Sequence, residues 1–113
     1  MKSKILALSR SEDFKSLLNQ KKISNKYMTI FFGKLADKNK DKLNISFVTK
    51  RKIGNSVKRN KIKRRLRNIV NDAVKRINLK FNYSYLVIAK PTMLNKEYAI
   101  IKETLFRDLE RIN

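Results

Sequence analysis

Between positions 42 and 71 the chain holds no acid, yet it carries Lys50, Arg51, Lys52, Lys58, Arg59, Lys61, Lys63, Arg64, Arg65 and Arg67. Guanidinium and ammonium groups at this density bind phosphate, and Arg adds a planar fork that can grip two oxygens at once. The groups needed for most other chemistry are missing. With no histidine, the usual general base and the usual zinc ligand are absent. With no cysteine, there is neither a disulfide framework nor a thiolate site. The acids are scattered: Glu12 and Asp13, Asp37 and Asp41, Asp72, and the last stretch of chain. Phosphodiester hydrolysis by side chains calls for a histidine pair or a carboxylate-bound metal pair. The expectation is therefore no catalytic residue and no metal ligand. Asp37 and Asp41 read as the solvated tip of a lysine-rich loop.

The whole chain repeats this imbalance, with 29 Lys and Arg against 9 Asp and Glu and a formal net charge of +20 over 113 residues. Self-repulsion of that size opposes compactness and favours a polyanionic partner, nucleic acid before an anionic membrane surface. No stretch approaches the roughly 20 apolar residues of a spanning helix. The N-terminal residues read as neither signal nor anchor, so a cytoplasmic location is expected. The length suits one domain, 1–113.

The elements that must position the cations can be read from periodicity. Ser9 with Glu12 fits a capping box, Ser11 being a rival cap, before a helix over 11–19 with Phe14, Leu17 and Leu18 at helical spacing. Segment 21–26 is polar and reads as a loop. YMTIFF (27–32) suits a strand, with Met28, Ile30 and Phe32 on one face and Tyr27, Thr29 and Phe31 on the other. Segment 33–42 reads as a mobile hairpin loop. LNISFVT (43–49) alternates as a strand with one buried face. KRKIGN (50–55) is a basic turn in which Gly54 can take a positive φ, and Asn55 or Ser56 can cap a helix beginning there. Ile62, Leu66, Ile69, Val70, Ala73, Val74 and Ile77 mark that helix, one long amphipathic element over 57–77. After a connector over 78–83, the nearly continuous apolar run YLVIA (85–89) suits a well-buried strand that ends at Pro91. Asn95 can cap a last helix whose seam is Tyr98, Ile101, Leu105, Leu109 and Ile112. The expected fold is α+β, in the order α-β-β-α-β-α, with a small and mixed sheet.

Most of the cations fall on the first turns of the long helix, where they oppose its dipole. A helix N-terminus carries roughly half a positive charge and prefers acids nearby by about 0.3–1 kcal/mol each. Cations added to free N–H groups there cost folding stability but make a phosphate site. Asn60, Lys63, Arg64 and Arg67 lie opposite or flanking the apolar stripe, with Lys61 and Arg65 on the other flank. Arg59 lies over the apolar side but precedes Ile62, and is expected to emerge beyond the core. Phe14, Tyr27 and Phe31 give a second signal, because aromatics on a sheet face can stack single-stranded bases. The alternative for each ring is core packing.

RKIGNSVKRNKIKRRLR (51–67) resembles the signature of the bacterial ribonuclease P protein family, a K-K-I-G-N-A-V-like turn followed by an R-N-R-x-K-R helix start. Lys52, Ile53, Gly54, Asn55 and Val57 match the turn, and Arg59, Asn60, Lys63, Arg64 and Arg67 match the helix. Ser56 stands at a small-residue position. Lys61 stands where the family has its second arginine, keeping the charge without the planar fork. Glu12, Asp13 and Phe14, and the strand YLVIAK (85–90), are similar to flanking family features, so the resemblance spans nearly the whole chain. It implies an α/β sandwich with a left-handed β-α-β crossover. It implies that Arg51, Lys58, Arg59, Asn60, Lys61, Lys63, Arg64 and Arg67 contact a catalytic RNA. A cleft between the first helix and the sheet would accept the 5′ leader of precursor tRNA, at Phe14 and Phe31, with Lys50 and Lys52 near the leader backbone. Leu18 stands there in place of a second family aromatic. Magnesium would be held mainly by the RNA, with no organic cofactor, and the protein would be a monomer within the holoenzyme. The rival readings are a general RNA-binding module, an autonomous nuclease for which no site is seen, and a membrane-surface protein, whose helix would lack Trp or Phe anchors.

Overall fold

The computed structural model describes residues 5–8, 10–35, 41–77, 79 and 81–112. Five strands form one mixed sheet: β1 (Ile5–Leu6), β2 (Lys21–Ser24), β3 (Met28–Gly33), β4 (Leu43–Val48) and β5 (Ser84–Ala89). Three helices accompany them, α1 (Ser11–Leu18), α2 (Ser56–Arg76) and α3 (Tyr98–Ile112). The α+β class and the expected order of helices and strands hold, with two short strands added at the edges. The strand order is β1-β4-β5-β3-β2. β5 is central, parallel to β4 and antiparallel to β3, as its unbroken apolar run allows. The parallel β4 and β5 are joined through α2.

The sheet is covered on both faces. Met28, Ile30, Leu43, Ile45, Tyr85 and Val87 pack with Ile62, Leu66 and Ile69 of α2 and Ile101, Leu105 and Leu109 of α3. The alternate positions, with Leu86 at their centre, face α1, where Leu17 and Leu8 are buried and Phe14, Phe31, Val48 and Ile88 flank them half-buried.

Several expectations need correction. Segment 21–26 is not all loop, because Lys21–Ser24 is the edge strand β2, antiparallel to β3. An edge strand faces water and is guarded by lysines, so it shows none of the apolar alternation by which strands are recognised. Segment 33–42 is not a hairpin loop, since β5 lies between β3 and β4; residues 36–40, Asp37 among them, lie outside the described residues. The strand at 43–49 is buried on both faces, with Asn44 and Ser46 inside. Leu8 N–H donates to Ser46 Oγ at 2.8 Å and Asn44 Nδ2 to Lys42 O at 3.3 Å, so these polar groups are satisfied where they are buried. Tyr27 does not share the face of Phe31. It precedes β3 in a turn where Asn25 Oδ1 accepts from the N–H groups of Tyr27 and Met28, and it joins the core beneath α2 and α3. Neither Ser11 nor Asn95 caps as expected: the residue before α1 is Arg10, without a side-chain cap, Ser11 is already helical, and α3 starts only at Tyr98; Ser9, the other expected cap, lies outside the described residues.

Candidate nucleic-acid interface

The turn leading into α2 is built from KIGN itself. Arg51–Ile53 forms a single 3-10 turn that plugs Ile53 into the core. Gly54 comes next at φ +155° and ψ −167°, a region essentially restricted to glycine. A Cβ there would also stand 2.9 Å from Lys58 Cδ. Asn55 is the N-cap, its Oδ1 accepting from Lys58 N–H at 3.0 Å. The motif thus sets the angle at which the cationic end of the helix leaves the sheet.

Along α2, Ile62, Leu66, Ile69, Val70 and Ala73 are buried. Lys58, Asn60, Lys61, Arg64 and Arg67 are exposed, and Lys63 is half-buried. The first turn has no acid to offset them. Arg59 departs from expectation. It is half-buried rather than clear of the core, and its Nε is buried with no hydrogen-bond partner among the described residues. An unmet donor of this kind costs about 1–3 kcal/mol, and a guanidinium held this way has directions left for an anion. The helix's acid, Asp72, lies far along it and accepts from Lys102 Nζ of α3 at 2.8 Å. That hydrogen bond, with the nearby positive charge of Lys102, Arg76 and Lys75, lowers the Asp72 pKa below its ordinary 3.8. The acid braces α2 against α3 and leaves the cationic half without an acid of its own helix.

Part of the aromatic set meets these cations. A groove of about 340 Å³ is floored by Ile45, Phe47 and Val48 of β4, with Phe14 of α1, Lys63 and Arg67 of α2 also in its walls. Phe31 and Leu18 stand outside it. Phe31 packs half-buried under α1, in the same cluster as Phe14. Leu18, one turn after Phe14, is 47% exposed. Lys50 and Lys52 are exposed just after β4. One residue escaped the sequence reading: Lys22 of β2 places its Nζ 5.9 Å from the Phe31 ring centroid. Its signal was hidden because β2 reads as loop. A larger groove, about 620 Å³, runs along α3 past Phe106, Glu103 and Arg107 and includes none of the expected residues. Its mixed charge suits a polyanion poorly.

Among the described residues, no cluster of three or more His, Cys, Asp or Glu could hold a metal ion. No described helix is long and apolar enough to cross a membrane. The arrangement is a basic helix start beside a largely apolar groove, suited to holding a nucleic acid.

Comparison with known proteins agrees with the motif. The family model described as Ribonuclease P matches residues 3–113. The ribonuclease P protein component of Carboxydothermus hydrogenoformans is 31% identical over 102 residues, 87% of this chain and 83% of that protein. The component from Mycoplasma mycoides subsp. mycoides SC is 28% identical over 105 residues, 93% of this chain and 94% of that protein. The solved RNase P protein from Thermotoga maritima superposes with a TM-score of 0.80 at 26% identity, covering 96% of this chain and 98% of that one.

Proposed function

The chain belongs to the Ribonuclease P family, and from that premise we propose that it is the protein subunit of a ribonucleoprotein that removes the 5′ leader from precursor tRNA. Its partners are the catalytic RNA and the leader. The observation that carries this reading is the groove where Phe14 meets Lys63 and Arg67, at the uncompensated end of a basic helix.

In this reading Arg51, Lys58, Arg59, Asn60, Lys61, Lys63, Arg64 and Arg67 hold the catalytic RNA by its phosphates. Phe14, Leu18 and Phe31 line the path of the leader, and Lys50 and Lys52 neutralise its backbone. The sequence has no histidine and no metal-holding cluster is found among the described residues, and on that reading the cutting is assigned to the RNA. Magnesium, held mainly by the RNA, would supply the activated water there. What the protein contributes is affinity and position: one copy, in the cytoplasm, raises the concentration of correctly held substrate on the RNA. The cationic part of that affinity falls steeply with salt.

The test is cleavage of precursor tRNA by a bacterial RNase P RNA at low magnesium, with and without the protein. Protein that is inert alone but restores correct 5′ cleavage supports the reading. Protein that binds RNA without stimulating cleavage reduces it to a general RNA-binding module.

A further inference from the structure

The basic helix packs beside β4, while β2 closes the sheet three strand positions away, about 14 Å at ~4.8 Å per strand. A second acid-free stretch runs there: between Asp13 and Asp37 the chain carries Lys15, Lys21, Lys22, Lys26 and Lys34 and no acid. Where β2 and β3 meet the start of β5, an open depression of about 250 Å³ is lined by Gln20, Lys21, Phe32, Gly33, Lys34 and Tyr83. It is separate from the Phe14 groove. Phe32 lies on the sheet face away from α1 and packs against the larger core.

Its chemistry matches one unpaired nucleotide. Phe32 and Tyr83 are half-buried rings with centroids 6.0 Å apart and planes at 49°, and both line the depression. Gln20 lays its amide over Gly33, in the space a Cβ would fill. That amide is loosely held, donating to Ser16 Oγ at 3.3 Å and to Lys34 O at 3.5 Å, and both long bonds can be exchanged for bonds to a base edge. Lys21 and Lys34 are exposed and flank the depression without an acid among its lining residues. Lysines on an edge strand also deter sheet-to-sheet association. That role accounts for Lys21 and Lys22 but not for a backbone glycine beneath an amide beside two half-buried rings.

We propose that this depression is a second single-stranded RNA contact, taking a base against Tyr83 and Phe32 and the flanking phosphates on Lys21 and Lys34. The inference rests on the RNA-binding reading above and adds a site that the basic helix does not include. An RNA strand held at both places would reach from the helix beside β4 to the β2 edge of the sheet.

The test uses the full chain and a single-stranded RNA oligomer carrying 4-thiouridine, irradiated and mapped by peptide mass. Adducts are expected at Tyr83 or Phe32 as well as near α1 and α2. The Lys21→Ala/Lys34→Ala variant should lose the first set, bind about fivefold more weakly, and show a salt slope smaller by about 1.4, at ~0.7 per phosphate contact on a single strand. Both side chains are exposed, so folding should be unaffected. Adducts confined to α1 and α2, with unchanged affinity in this variant, overturn the second site and leave the proposed function standing. A variant that self-associates but binds RNA normally also overturns it, in favour of edge protection. No adduct anywhere would sink both readings.

Discussion

Asn25 Nδ2 lies 2.6 Å from Asp108 Oδ2, joining the turn before β3 to α3 across 83 positions of sequence. The same Asn25 accepts on Oδ1 from Tyr27 N–H at 2.7 Å and Met28 N–H at 3.0 Å, and Lys90 Nζ donates to its carbonyl at 2.6 Å. One side chain therefore shapes the turn and satisfies a buried carboxyl that is only 4% exposed. Asn25→Ala should cost about 2–4 kcal/mol, because it leaves Asp108 without this donor and opens the turn. Asp108→Asn keeps an acceptor and should cost about 1 kcal/mol. Urea unfolding of the two variants measures the difference, and equal losses would contradict the asymmetry.

Most of the architecture was legible in the sequence, because three helices and two strands carry an apolar period and the third strand a nearly continuous apolar run. The turn into α2 was legible for a different reason. Gly54 and Asn55 play local roles, turn and cap, that select their residue types without help from tertiary contacts, while Ile53 beside them plugs into the core. What stayed hidden depends on neighbours distant in sequence. β2 takes its place from pairing with β3 and keeps no apolar face, so Lys22 and its contact with Phe31 were hidden with it. The insertion of β5 between β3 and β4 leaves no local trace. Neither does the burial of Ser46, whose hydroxyl is met by Leu8 N–H from the far end of the chain.

Gly54 makes the turn testable alone. At φ +155° any side chain is strained, and its Cβ would also meet Lys58. Gly54→Ala should cost about 1–3 kcal/mol. Relief by tilting the start of α2 would displace Lys58 and Arg59, so RNA affinity should fall even where the variant remains folded. Thermal melting and RNA titration of one sample separate the two effects. A stable variant with normal affinity would show that the turn does not aim the helix.

Asp72 and Lys102 predict a narrow pH effect. Hydrogen bonding to Lys102 lowers the folded pKa of Asp72 below 3.8, so its stabilisation is present above that value and is lost as pH falls through the folded pKa. Lys102→Gln should therefore be less stable than the parent at neutral pH, with the gap closing below about pH 4 as Asp72 protonates in both. Urea midpoints at pH 3 and pH 7 test this. A gap that is constant with pH would assign the loss to the contact of the Lys102 ammonium over the Phe106 ring instead.

Arg59 should separate stability from binding. Its Nε is buried without a partner among the described residues, so Arg59→Met removes an unmet donor while keeping most of the apolar volume. Stability should hold or rise by about 1 kcal/mol. RNA affinity should fall, with the slope of log affinity against log salt smaller by about 0.7–0.9 for the one phosphate contact removed. Loss of stability with an unchanged slope would make Arg59 a structural residue.

Leu18 offers a gain of function. It stands one helical turn after Phe14 on the side of α1 toward solvent, and at 47% exposed it has room for a ring without disturbing Leu17 beneath. Stacking a base on an aromatic side chain contributes about 1–3 kcal/mol, whereas leucine offers only unspecific apolar contact. If the leader passes over α1, Leu18→Phe should tighten binding of precursor tRNA by about fivefold or more. Mature tRNA lacks the leader, and its binding should not change. The ratio of the two affinities is the deciding quantity, since a ring that merely made the surface stickier would raise both. Equal tightening, or none, would place the leader away from α1 and return Phe14 to the core with Leu17.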